Sequence, residues 1–170
     1  MDLSAPQPGF ATRLGAGMLP PADSAVVLAY ARMLQREARA GACQPWLRGK
    51  NIGMLGEPDS DPAAELFRRA AHELGAKVAQ VRPFVPGLHA PADLLHTAHL
   101  LGRLYDAIEW PGASAGVLNE VQAAAGIPVY DGLGAPSHPT ARLVPLLGGD
   151  ASRADQRRFV LQAVLLATII

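Results

Sequence analysis

The side chains in this 170-residue sequence that could do chemistry are a few carboxylates, serines and histidines and one thiol. Glu57, Asp59, Ser60 and Asp61 crowd one short stretch, while His89, Asp131 and His138 stand in three others. Carboxylates gathered beside a histidine would select a cationic or neutral small ligand. His96 and His99 lie three apart with His89 seven residues earlier, a spacing compatible with a metal, but histidines on the solvent side of an amphipathic helix give the same pattern. No metal is assigned. Cys43 stands alone, so it makes no internal disulfide and no zinc site, and it reads as an incidental thiol. Gly49-Lys50 is not a phosphate loop, because the preceding glycine is Gly41 and a strand follows the lysine where a helix should. Gly15-Ala-Gly17 and Gly132-Leu-Gly134 lack the third glycine of a dinucleotide fingerprint. No nucleophile elbow with a serine–histidine–acid set is present, and no cofactor is implied.

These residues need elements to position them. Apolar side chains at Val27, Tyr30, Ala31 and Leu34 predict a helix over Ser24–Ala40, stopped by Gly41. Asn51–Leu55 reads as a strand, and Asp61 with Pro62 reads as the cap and first position of a helix ending near Gly75. Strands follow at Lys77–Val81, Asp106–Trp110 and Ile127–Asp131, with helices at Ala92–Leu104, Ala115–Ala125 and Thr140–Leu147. The alternation predicts an α/β fold of three layers, α/β/α, with a four-stranded parallel sheet covered on both faces. In such sheets ligands sit beyond the carboxyl ends of the strands. The loops that hold Glu57, Asp59, Ser60, Asp61, His89, Asp131 and His138 all fall there.

Fifteen basic and fifteen acidic residues balance to zero net charge, which argues against nucleic-acid or anionic-membrane binding. Gly and Pro, at 17 and 15, are too few for a disordered chain. The apolar run Phe159–Ile170 is too short to span a membrane and must pack against protein. Residues 1–19 read as a loose lead-in without the apolar core of a secretory signal. A single cysteine and no such signal lead us to expect a cytoplasmic protein.

Three stretches resemble the ornithine/aspartate carbamoyltransferase family. They are Leu47-Arg-Gly-Lys-Asn-Ile-Gly-Met-Leu55 continuing through Glu57, Asp59-Ser60, Phe67, Ala70-Ala71 and Gly75-Ala76; Leu101-Gly-Arg-Leu-Tyr-Asp106; and Gly126-Ile-Pro-Val-Tyr-Asp-Gly-Leu133 with His138-Pro-Thr140. Residues 20–147 are thereby similar to the family's carbamoyl-phosphate-binding domain. Ala154-Asp-Gln-Arg157 and Ala163–Thr168 resemble its C-terminal helix. The resemblance implies that residues 148–151 link the two directly, with the amino-acid-binding domain missing between them, and that residues 152–170 form a helix packed back on the same domain.

The resemblance carries site residues over one at a time. The family's phosphate loop Ser-Thr-Arg-Thr falls on Ser60, Asp61, Pro62 and Ala63, so only the serine stays. A second phosphate-binding arginine falls on Pro111. In the family's His-Pro-Thr/Cys-Gln motif the histidine and threonine fall on His138 and Thr140, and the glutamine falls on Ala141. Two lost arginines and one gained carboxylate leave the loop about three charges more negative than in the family. The resemblance therefore implies a degenerate site with no intact catalytic set. It also implies assembly as a homo-oligomer, trimeric in this family, or a mixed oligomer with a full-length carbamoyltransferase. A small-molecule or amino-acid binding module in the old pocket, and transferase activity completed by a partner chain, are the alternatives.

Overall fold

Proline, glycine and short polar residues set the helix ends. In the computed structural model, which describes residues 9–10, 19–56, 61–82 and 91–170, helix α1 spans Pro21–Arg39. It begins a turn before the expected Ser24, because Pro21 at its first position has a preset φ and lacks an N–H that would need a partner. Strand β1, Asn51–Leu55, leads to α2, Pro62–Glu73, whose cap is Asp61. The order continues with β2 (Lys77–Val81), α3 (Pro91–Leu104), β3 (Ala107–Glu109), α4 (Ala115–Ala125) and β4 (Val129–Tyr130). A 3-10 turn over Pro139–Leu143, α5 (Val144–Leu147) and α6 (Arg153–Ile169) complete the chain.

The four strands pair in parallel in the order β2-β1-β3-β4. Their side chains alternate between two apolar layers. Ile52, Met54, Ala107 and Tyr130 face one layer, shared with α1, α2 and α6. Leu55, Ile108 and Val129 face the other, with Leu94, Ala98 and Leu101 of α3 and Leu118 and Val121 of α4. The expected three-layer α/β/α arrangement is therefore the observed one.

Three expected elements are trimmed by named groups. At the start of β3 the Asp106 carboxylate accepts from the Asn51 backbone N–H at 2.8 Å and from Lys50 Nζ at 3.0 Å. Pro128 cannot donate, so β4 begins at Val129. The expected helix over Thr140–Leu147 divides into a 3-10 turn and the short α5, because Pro145 lacks the N–H that a continuous α-helix would use.

Helix α6 is buried all round from Phe159 to Ala167, which explains how so apolar a segment is accommodated. It packs mainly on α1 and then on α2. Two polar groups of its apolar half are paired: Gln162 Nε2 donates to Glu73 Oε2 at 3.0 Å, and the Tyr130 hydroxyl meets Thr168 Oγ1 at 2.5 Å. Phe10, within the stretch expected to be a loose lead-in, is only 3% exposed and joins this same core. Among the described residues no helix is long and apolar enough to cross a membrane.

Leu165 is fully buried and Leu104 is 63% exposed. Leu165→Ala should lower unfolding stability by about 2–5 kcal/mol in urea titration, whereas Leu104→Ala should change it by no more than about 0.5 kcal/mol.

Candidate functional site

The strand order turns between β1 and β3, so the chain diverges there and leaves a crevice beyond the carboxyl ends of the strands. Four described segments meet at that edge. Asp61 opens α2 after β1, Pro111 and Gly112 follow β3, Asp131–Ala135 follow β4, and His138–Ala141 form the turn beyond. Asp61 accepts from the Ala63 backbone N–H at 3.3 Å, so the helix N-terminus receives its anion from within the chain. Asp131 Oδ1 accepts from the Gly112 N–H at 2.9 Å, tying the β4 loop to the β3 loop. Gly134 lies against the first turn of α2 so closely that a Cβ there would collide with the Ala63 carbonyl.

His138 and Thr140 form a buried pair. The Thr140 backbone N–H donates to His138 Nδ1 at 3.3 Å, and the two side chains meet at 2.9 Å. Arg157 Nη1 in turn donates to Thr140 Oγ1 at 3.0 Å, which leaves the threonine hydroxyl proton directed at Nδ1. Nδ1 is thereby an acceptor, and the neutral ring carries its proton on Nε2. Burial, helped by the Arg157 charge, pushes the His138 pKa down to about 4. The imidazole is consequently uncharged near neutral pH, a state suited to donating from Nε2 to a carbonyl oxygen.

Two residues that the sequence did not single out for the site hold this edge together. Arg157 of α6, 8% exposed, also donates from Nη2 to the carbonyls of Leu133 at 2.5 Å and Ala135 at 3.3 Å. Glu109, the last residue of β3, accepts from the Leu133 N–H at 2.9 Å while its Oε2 has no hydrogen-bond partner among the described residues. Burial raises its pKa to about 8, with the nearby Asp131 carboxylate adding to the shift. For Glu109 the available signal was a charged side chain inside an otherwise apolar strand, whereas Arg157 sits in the polar first turns of α6 and carried no such signal.

Next to this network lies a cavity of about 300 Å³ lined by Pro62, Ala63, Leu66, Gly134, Pro136, Ala141, Val144, Arg153 and Arg157. No acidic side chain lines it among the described residues. The charged groups of this cavity are two arginines; of the carboxylates expected around a pocket for a cationic or neutral ligand, Asp61 lies outside its lining and Glu57 and Asp59 fall outside the described residues. Of the positions expected at the site, Pro62, Ala63 and Ala141 line it, His138 and Thr140 brace its neighbouring turn, and Asp61 and Pro111 sit exposed at the rim of the sheet edge. Glu57, Asp59, Ser60 and His89 fall outside the described residues. His96 and His99 are exposed on α3, and Cys43 is exposed after α1.

The fold and this edge define a parallel α/β domain with its candidate site at the switch point of the sheet. Residues 14–147 match the family model for the aspartate/ornithine carbamoyltransferase carbamoyl-P binding domain. The chain belongs to that family. It is 38% identical over 121 residues to the ornithine carbamoyltransferase of Actinobacillus pleuropneumoniae serotype 5b, which covers 71% of this chain and 36% of that protein. It is 36% identical over 121 residues to the catabolic ornithine carbamoyltransferase of Burkholderia mallei, with the same coverage. The chain thus spans about a third of the length of these curated relatives. The fold is similar to that of Pyrococcus furiosus ornithine carbamoyltransferase, with a TM-score of 0.60 at 22% identity over 74% of this chain and 40% of that one. The catalytic subunit of M. jannaschii aspartate transcarbamoylase gives 0.59 at 20% identity, over 76% and 42%.

The two shifted groups set opposite pH dependences. His138 titrates below its ordinary value of 6.5, so the folded state binds fewer protons and stability rises with pH between about 4 and 6.5. Glu109 titrates above its ordinary 4.5, so the folded state binds more protons and stability falls between about 4.5 and 8. The slopes oppose each other up to pH 6.5, and above it Glu109 acts alone. Unfolding free energy should therefore decline from pH 6.5 to 8 by up to about 1.4 kcal/mol per unit. Glu109→Gln, which keeps an acceptor for Leu133, should remove that decline in urea titrations. A decline unchanged in the variant would rule out Glu109 as its source.

Proposed function

We propose that this chain is a carbamoyltransferase-family domain with a degenerate carbamoyl-phosphate site, acting as an oligomerising or interaction subunit and not catalytic by itself. The observation that carries the reading is the Asp61 cap on α2. Asp61, Pro62 and Ala63 stand where the resemblance puts the phosphate loop. There a carboxylate already binds the free amide of the first turn, Pro62 has no amide to offer, and none of the three positions carries an arginine. The second arginine position is Pro111, in an exposed turn before Gly112.

Hydrogen bonds to charged groups contribute roughly 1.5–3 kcal/mol each, so two lost arginines remove on the order of 3–6 kcal/mol of phosphate affinity. That corresponds to about two to four decades in Kd. His138 keeps its place as a neutral donor for a carbamoyl oxygen, but the glutamine partner is replaced by Ala141. In the proposed arrangement α6 is the family's terminal helix, joined through Gly148–Ala151 without the amino-acid-binding domain between. Its packing on α1 and α2 supports this, because those helices belong to the carbamoyl-phosphate half. Assembly as a trimer, or in a mixed trimer with a full-length relative, and residence in the cytoplasm complete the reading.

Calorimetric titration of the chain with carbamoyl phosphate should show no saturable binding in the micromolar range, and the double variant Pro62→Arg/Pro111→Arg should gain affinity. Micromolar binding by the natural chain, or citrulline formed from carbamoyl phosphate and ornithine by the pure protein, would overturn the degenerate-site reading. Sedimentation should show an oligomer, alone or with a full-length ornithine carbamoyltransferase. A strict monomer in both cases would remove the oligomerising role.

A further inference from the structure

We propose that the cleft between α1, the C-terminal end of α2 and α6 is a binding site for a small primary amine with a short hydrocarbon body, its ammonium held by Glu37. The cleft has a volume of about 290 Å³. It lies at the amino-terminal edge of the sheet, since Glu73 and Leu74 end α2 and Cys43 and Gln44 stand in the segment between α1 and β1. Among the described residues it shares no lining side chain with the cavity at the carboxyl edge, and none of the family-site positions borders it.

Three charged side chains line the cleft, and two of them offset each other. Arg158 is engaged by Glu73 Oε2 at 2.9 Å and by Asp155 Oδ1 at 2.6 Å, while Glu73 also meets Arg69 at 2.9 Å and Gln162 Nε2 at 3.0 Å. Glu37 is left without a cation. Its Oε2 accepts from the Trp46 indole N–H at 3.1 Å, and the carboxylate makes no ion pair among the described residues. The positions one turn away are Met33, Leu34, Ala40 and Gly41, none of them basic. Arg36 and Arg39 fall on other faces of α1, and each has a partner of its own. Glu37 also sits in the last turn of the helix, where the free carbonyls add negative potential. A half-buried carboxylate in that field favours an incoming cation.

The remaining groups select the kind of cation. A guanidinium would ask for both carboxylate oxygens in two-point contact, but the indole already uses Oε2, so a point-charge ammonium donating to Oε1 fits better. Leu34, Ala38, Leu74 and Phe159 supply hydrocarbon, and the volume accommodates a chain of a few carbons. Neither the oligomerising role nor the state of the phosphate loop bears on this site.

The test is calorimetric titration of the whole chain with isopentylamine, with isopentyl alcohol as the uncharged analogue. One equivalent of the amine should bind, at least about tenfold more tightly than the alcohol. Glu37→Gln keeps an acceptor for Trp46 and should erase that preference, and its melting temperature establishes that it remains folded. A second readout needs no variant. Cys43 is the only cysteine and lines the cleft with an exposed thiol, so saturating amine should slow its alkylation by iodoacetamide severalfold, while the alcohol at the same concentration should not. Equal binding of amine and alcohol, a Glu37→Gln variant that keeps the preference, no binding heat, or an alkylation rate indifferent to the amine would each overturn the proposal.

Discussion

The contact on which the rest of the arrangement depends is the one between α6 and the ligand edge of the sheet, made by Arg157. A guanidinium buried at that depth must satisfy its protons within the protein, and it does so on Thr140 and on the carbonyls of Leu133 and Ala135. Those three residues belong to the loop and turn that follow β4. The last helix therefore fixes the shape of the site it borders while its apolar flanks close the core over α1 and α2. Core packing and site geometry are one problem in this fold, because the same helix serves both.

Glu109 works on the same loop from the opposite side. Its carboxyl group holds the Leu133 N–H while Arg157 holds the Leu133 carbonyl, so both backbone polar groups of one residue are fixed by buried ionisable side chains. Between them the loop has little freedom to move. The first turn of α2 is closed off in a different way, by the Asp61 cap and by Gly134 lying against Ala63.

Much of the fold was legible in the chain's local patterns. Alternating apolar strands, Asp61-Pro62 at a helix start and Gly41, Gly75 and Gly126 at helix ends are local signals, and each marks an observed boundary to within a few residues. Strand lengths were overestimated at β3 and β4, because the competing hydrogen bonds of Asp106 and the missing amide of Pro128 are not visible as periodicity. The candidate site was legible only in part. His138, Thr140 and the substitutions at Asp61, Pro62, Ala63 and Ala141 could be placed by resemblance, whereas Arg153 and Arg157, which line the cavity, were not among the expected site residues.

The sequence by itself determined the order of elements, the three-layer class, the family and the absence of arginine at positions 62 and 111. All of these are carried by residues close together in the chain. Tertiary structure alone decided that Arg157 lies beneath His138 and Thr140, that Glu109 holds its proton far above the ordinary carboxyl range, and that two arginines of α6 line one cavity with Pro62, Ala63 and Ala141. These depend on contacts between residues 17 to 24 positions apart and on burial, which sets charge and hydrogen bonding through the surrounding dielectric and not through local spacing.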